Sequence, residues 1–258
     1  MIRELNHVGM RTSDLSAALR FFKDGLSGCV IRDIEVPVGR MVFVQIGNSV
    51  IELIQNPPGQ GDFGFTHTAF RTAANSSIEL CHRNLEQAGC CFTVPPKIAA
   101  SGNGKLAFFR DPFGALHELI ERETDARIEC VEDEPAITID SVMLSISHSH
   151  VGAASRFFVD YLDFDHIRDS LENDQFTQVF AHSGGKDRLT LVHDRMAAAP
   201  VLSLRFLVDS CDRLLKRLAM TSTPDSVHRQ VTHDGKTVLF FTGPDNTFMH
   251  AIERFKHA

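Results

Sequence analysis

The feature that most restricts this chain is that it nearly repeats itself. Residues 108–122, FFRDPFGALHELIER, align without a gap on residues 240–254, FFTGPDNTFMHAIER. Upstream, SAALRFFKDGLSG (16–28) matches GAASRFFVDYLDF (152–164), and SVIELIQN (49–56) resembles DRLTLVHD (187–194). The order is kept and the period is about 130 residues, too long for a solenoid unit, so the chain reads as a duplicated domain. The copying is selective. Glu118 falls opposite His250, and His117 opposite Met249.

Each half divides again. LNHVGMRT has strand character; Ser13 or Asp14 can cap a helix over LSAALRFFKDGL, with Gly25 or Gly28 near its end. Three β-rich runs follow, CVIRDIEV, MVFVQIG and SVIELIQ. After the turn-rich NPPGQGDFG the scheme restarts with strand FTHTAFRT, helix SSIELCHRNLEQAG, then CCFTVPP, KLAFFRD and ALHELIER. The second half runs the same course. The expected fold is α+β: four βαβββ modules, paired into two domains, each with a curled eight-stranded mixed sheet. The expected domains are residues 1–122 and 137–258, with acid-rich 123–136 as linker.

The net charge of −7, without a basic run, argues against nucleic acid and anionic membrane as partners. No apolar run approaches the roughly 20 residues of a membrane span. Six cysteines form no CxxC, and the N-terminus starts directly on a strand-like segment, so a reduced cytoplasmic setting is expected. The aromatic content is nearly all Phe, with one Tyr and no Trp, which leaves few phenols for proton work.

Successive strand residues face opposite sides of a sheet. On that rule four polar residues interrupt apolar rows: His7 beside Leu5 and Gly9, Glu52 beside Val50 and Ile54, His67 beside Phe65 and Ala69, Glu118 beside Leu116 and Ile120. A lone strand histidine is commonly a satisfied core or rim residue, and a lone glutamate commonly an edge residue with its carboxylate in water. Here the two types recur in step, a His on the first strand and a Glu on the fourth of each of the first two modules. Two sheets closing on each other would gather all four. Two neutral imidazoles and two carboxylates carry a charge of −2, which a divalent cation neutralises. The mixed N/O set suits Zn, Ni, Co, Mn or Fe(II), and argues against thiophilic metals and against Ca or Mg. On an octahedral ion it would leave two positions for neighbouring oxygens of one substrate.

These stretches carry a family likeness. NHVGMRTSDLSAALRFFKDGL, FVQIGNSVIELIQNPPG and FFRDPFGALHELIER resemble the vicinal oxygen chelate superfamily of glyoxalase I, methylmalonyl-CoA epimerase, extradiol dioxygenases and bleomycin-resistance-type binders. The likeness is strong over 1–122 and weak over 137–255. It implies the paired βαβββ fold and one divalent metal ion per chain, held by His7, Glu52, His67 and Glu118. The second half has Met143, Thr190, Ser203 (register open by one) and His250 at those positions. It is therefore expected to lack a metal set and to serve as a lid, a scaffold or a homodimer surface.

The resemblance implies a small-molecule substrate with neighbouring oxygens. The first expectation is a lyase or isomerase that abstracts a proton next to a carbonyl while the metal chelates the enolate or enediolate, with Glu52 or Glu118 as base. An epimerase is less well matched, since the third strand GRMVFVQIG carries no carboxylate. The alternative is an Fe(II) extradiol ring-cleaving dioxygenase, which would need only two His and one carboxylate; Tyr161, the one Tyr, falls at a predicted helix end. A third reading is a non-enzymatic binding or resistance protein. Asn103 and Lys105 read first as a hairpin turn and second as contacts for an anionic tail. Arg110 and Asp111 read as turn caps, His117 as facing away from Glu118, and SHSH (147–150) as a solvated loop.

Overall fold

The computed structural model describes the chain apart from residues 38, 57–61, 125, 130–135, 173–174, 184–186, 222–226, 233–234 and 255–258. Parts of the expected linker and of the NPPGQGDFG connector thus lie outside the described residues.

The first sheet is built from β1 (Ile2–Thr12), β2 (Cys29–Val36), β3 (Gly39–Ile46), β4 (Ser49–Gln55), β5 (Gly64–Thr72), β6 (Cys91–Ile98), β7 (Lys105–Arg110) and β8 (Leu116–Glu121). Its strand order is β2-β3-β4-β1-β5-β8-β7-β6. The second sheet uses β9 (Ile137–Ser147), β10 (Asp165–Glu172), β11 (Gln175–Ala181), β12 (Arg188–Asp194), β13 (Val201–Val208), β14 (Val227–Val231), β15 (Thr237–Thr242) and β16 (Phe248–Glu253). Its order, β10-β11-β12-β9-β13-β16-β15-β14, is the same topology. Pairing within each is mixed: β5 and β8 run parallel, β7 and β8 antiparallel. The fold is α+β. The two modules of each half do not close as separate sheets. Their first strands, β1 and β5, are hydrogen-bonded into one open sheet with edges at β2 and β6. The pairing satisfies backbone groups that would otherwise be exposed edges. It makes β4 and β5 central strands, almost wholly buried, while edge β2 is half exposed.

Among the described residues four α-helices serve the sheets: α1 (Leu15–Leu19), α2 (Ile78–Gln87), α3 (Val151–Asp160) and α4 (Cys211–Thr221). Of the two cap candidates Asp14 takes the role, its carboxylate accepting from Ala17 N at 2.9 Å. The predicted first helix is α-helical for five residues, then widens into a π-helical turn over Arg20–Gly25. Bonds from Leu26 N to Phe21 O and from Gly28 N to Phe22 O close it. A Cβ at Gly28 would stand 2.7 Å from that carbonyl and 2.5 Å from Val44, so the close exit from the helix requires glycine there. In α2 and α4 the buried residues, Ile78, Cys81 and Leu85 in one and Cys211, Leu214 and Leu218 in the other, follow the spacing of one helical face.

By spatial contact the chain groups into two compact units. One comprises Met1–Val8, His67–Asp125 and Val142–Leu202; the other comprises Gly9–Thr66, Ala126–Ser141 and Ser203–Ala258. Inside the first, Phe158 of α3 packs edge-on to His117 and to Phe164, and Phe164 in turn to Phe70. Inside the second, α4 lies on the π-helical turn: Leu218 reaches Gly25, and Arg217 donates to the Asp24 carbonyl at 2.9 Å. No helix among the described residues is long and apolar enough to cross a membrane.

Candidate metal centre

Strand register puts two of the expected donors, His67 and Glu118, on one face. Glu118 on β8 is paired with Ala69 of β5 on one side and Phe108 of β7 on the other. His67 lies two residues before Ala69, so it shares Glu118's face. The small Ala69 leaves room beside the carboxylate, and Phe108 stands edge-on to the His67 ring, centroids 5.1 Å apart. Glu52 on β4 is paired with Phe43 of β3. His7, Glu52, His67 and Glu118 each offer a donor atom within 4.8 Å of the others, and each residue is at most 4% exposed. Among the described residues this is the one such cluster of three or more His, Cys, Asp or Glu.

The chemistry of the set fits a cation. His7 Nε2 lies 3.1 Å, and His67 Nε2 3.6 Å, from the same Glu118 Oε2. The other nitrogen of His7, Nδ1, donates to Asn6 Oδ1 at 3.1 Å. This directs the Nε2 lone pair at a carboxylate that has only lone pairs to offer. Burial alone would raise the Glu118 pKa, but hydrogen bonding and charge from His67 and His7 outweigh it and hold the carboxyl down at about 2. An ionised carboxylate so deeply buried is stable only beside positive charge, either a proton on an imidazole or a metal ion. Among the described residues no cysteine joins such a cluster. Burial pushes the Cys81 thiol up to about 11 and those of Cys90 and Cys211 up to about 12.

Behind His7 lies a chain of polar contacts that the sequence reading did not single out. Asn6 Nδ2 faces Glu4 Oε1 at 3.5 Å, and Arg71 Nε holds the same oxygen at 2.8 Å. The acceptor role of Glu4 fixes which end of the Asn6 amide faces His7. Arg71 also lines a cleft of about 910 Å³, together with Arg3, Lys105, Arg122, Glu121 and Glu123. None of the four clustered donors lines it.

The remaining residues fall as follows. His117 faces the opposite side, fully buried, its Nε2 donating to Asp111 Oδ2 at 3.2 Å and its Nδ1 2.6 Å from Thr68 Oγ1. Asp111 also accepts from Phe113 N and Ala115 N, and Arg110 donates to the Gly114 carbonyl, which ties the RDPFG turn. Residues 99–104 form a hairpin turn, and Lys105 bonds Glu79 at 2.7 Å. Tyr161 caps α3 and stacks on Phe157. SHSH is not a plain loop: Ser147 ends β9, and His148–His150 form an exposed 3₁₀ turn into α3.

In the second sheet, register aligns Arg205 with Ala69, because Arg205 pairs with His250 as Ala69 pairs with Glu118. The residue two before it, the counterpart of His67, is therefore Ser203. Thr190 is paired with Met143. Arg205 is 2% exposed and bonds Asp140 at 2.7 Å. Burial, then the neighbouring guanidinium, lowers the His250 pKa to about 3.

Residues 4–119 match the family model of the Glyoxalase/Bleomycin resistance protein/Dioxygenase superfamily. The match identifies residues 4–119 as a domain of this superfamily. Among solved structures it is similar to a variant of 4-hydroxymandelate synthase from Streptomyces coelicolor, with TM-score 0.66 and 15% identity, covering 98% of this chain and 93% of that one. It is also similar to homoprotocatechuate 2,3-dioxygenase from Brevibacterium fuscum in complex with 3,4-dihydroxyphenylacetate, with TM-score 0.70, 14% identity and coverage of 99% and 81%. The Arthrobacter globiformis enzyme of the same name gives 0.67, 15%, 98% and 80%. At such identities the likeness is one of fold. No curated protein matches the sequence.

Proposed function

We propose that this vicinal oxygen chelate protein is a divalent-metal-dependent enzyme whose centre is His7, Glu52, His67 and Glu118, acting as a lyase or isomerase by proton transfer next to a carbonyl. On this reading residues 1–122 are the metal-binding domain, 123–136 the linker and 137–258 a degenerate copy. The observation that carries it is the convergence of four donors, two imidazole and two carboxylate, within 4.8 Å. A bound Zn, Ni, Co, Mn or Fe(II) ion would supply Lewis acidity toward two neighbouring substrate oxygens.

The chain's own residues divide the remaining work. Glu118 is held ionised between two imidazoles, which suits a ligand and makes it a poor proton acceptor. Glu52, the second buried carboxylate of the set, is assigned the proton transfer. Its depth excludes water from the transferred proton.

Extradiol ring cleavage is the second reading. The full-length fold match to homoprotocatechuate 2,3-dioxygenases supports it better than it supports proton transfer. Two His and one carboxylate of the set would suffice for such chemistry. What keeps it second is the fourth donor, Glu52, which is one more than the two-His, one-carboxylate set of such chemistry would need. Metal analysis and paired assays separate the two. Deuterium uptake from solvent into a 2-oxo or thioester compound, without oxygen, supports the first reading; oxygen uptake with catechols and Fe(II) supports the second. Protein that ignores all five metals sinks both.

A further inference from the structure

We propose a second divalent-cation site in the second sheet, formed by His148 and His193 and suited to Zn(II), Ni(II) or Cu(II). Strands β9 and β12 run parallel, with His193 opposite Ile146. His148 follows two residues later, on the same side, at the start of the 3₁₀ turn. The two rings meet edge-on with centroids 5.8 Å apart and planes at 64°. The His7 and His67 rings of the four-donor cluster give an internal standard, 5.7 Å and 80°. The histidine pair is thus disposed almost as the first one is.

A second observation points to a ligand. His193 Nε2 is buried without a hydrogen-bond partner among the described residues, and so is Gln178 Oε1 on neighbouring β11. Buried polar atoms left unsatisfied call for a bound water or ion. Phe176 packs on the His193 ring at 4.4 Å and fixes its plane. Asp169 accepts from His166 Nε2 at 2.9 Å and from Gln178 Nε2 at 3.2 Å, and places negative charge beside the pair. Two imidazoles bind more weakly than a four-donor set. The function of the site would be to clip the end of β12 to the turn that enters α3.

The test is a Zn(II) titration by calorimetry on full-length, tag-free protein carrying Glu118→Gln and His67→Ala, which removes the four-donor set. One residual Zn(II) per chain is expected. Adding His148→Ala or His193→Ala should weaken it at least tenfold, while His150→Ala on the same turn should not. His148 is exposed, so its removal leaves the fold intact even if His193→Ala does not. Absence of residual binding overturns the proposal, as does residual binding that survives His148→Ala; neither result bears on the four-donor centre.

Discussion

The two sheets share one strand order and differ in what stands at four matching positions. In the first, Ala69 beside Glu118 leaves space, and His7, Glu52 and His67 turn donor atoms into it. In the second, Arg205 occupies the Ala69 position beside His250, and its guanidinium bonds Asp140. Asp140 aligns with Glu4, so both sheets pair an Arg with this carboxylate. The first uses Arg71, two residues further along its strand, which leaves the centre open. A permanent cation in the second does by covalent means what a metal ion would do in the first. The flanking aromatic is retained: Phe108 pairs with Glu118, and Phe240 with His250. The comparison sets a charge built into the chain, in the second sheet, against one that a bound metal would import into the first.

The largest effect should come from removing the imported charge. Glu118→Ala should lower metal affinity by far more than the roughly 10–100-fold typical of outer-shell changes, measured by equilibrium dialysis, whereas Met143→Ala should leave it unchanged. Equal effects would erase the asymmetry. Next is the built-in charge. Arg205→Met strands Asp140 near the core and should cost about 3 kcal/mol of unfolding free energy in urea, with Asp140→Asn in the same chain restoring part of it. A loss below about 1 kcal/mol would mean that Arg205 is not the cation that stabilises this centre.

The contact chain behind His7 predicts a smaller change. Asn6→Ala frees the ring to rotate or change tautomer, and should weaken metal binding roughly tenfold, with little effect on stability. Asn6→Asp keeps an acceptor and should stay near wild type. If both bind alike and weakly, Asn6 acts through packing and not through the His7 proton.

Much of this was legible because strand alternation is a local rule. It put His7, Glu52, His67 and Glu118 on apolar rows without knowledge of which strands pair, and the repeat supplied the pseudo-symmetry. Arg205 carried the same signal, a charged residue inside VLSLRFLV, and could have been found by it. The Arg71–Glu4–Asn6–His7 chain could not, since it depends on pairing between β1 and β5, which start at Ile2 and Gly64 and are remote in sequence. The π-helical turn was hidden for another reason: LSAALRFFKDGL has ordinary helical periodicity, and the widening goes with the close approach of Gly28 to Val44 and to the Phe22 carbonyl. That each half forms one eight-stranded mixed sheet follows from the repeat, whereas its strand order turns on long-range pairing.

The last contrast lies in acid. His250, the counterpart of Glu118, has its pKa depressed by burial and by Arg205 to about 3, against about 6.5 in an unfolded chain. Between those values the unfolded state binds the extra proton, so folding stability is full above pH 6.5 and falls as the pH drops toward 3. At pH 5 the loss from this one residue is about 2 kcal/mol. His182, depressed by burial to about 4, adds a loss of the same sign below pH 6.5. Urea midpoints of the wild type at pH 7 and pH 5 should therefore differ, and His250→Leu should narrow the gap while His182→Leu narrows it further. The substitution also removes a neighbour of Arg205, so the informative quantity is the slope with pH, not the midpoint at pH 7. A slope unchanged by His250→Leu would show that the ring titrates alike in the folded and unfolded chain, the pull of Asp140 then offsetting burial and Arg205.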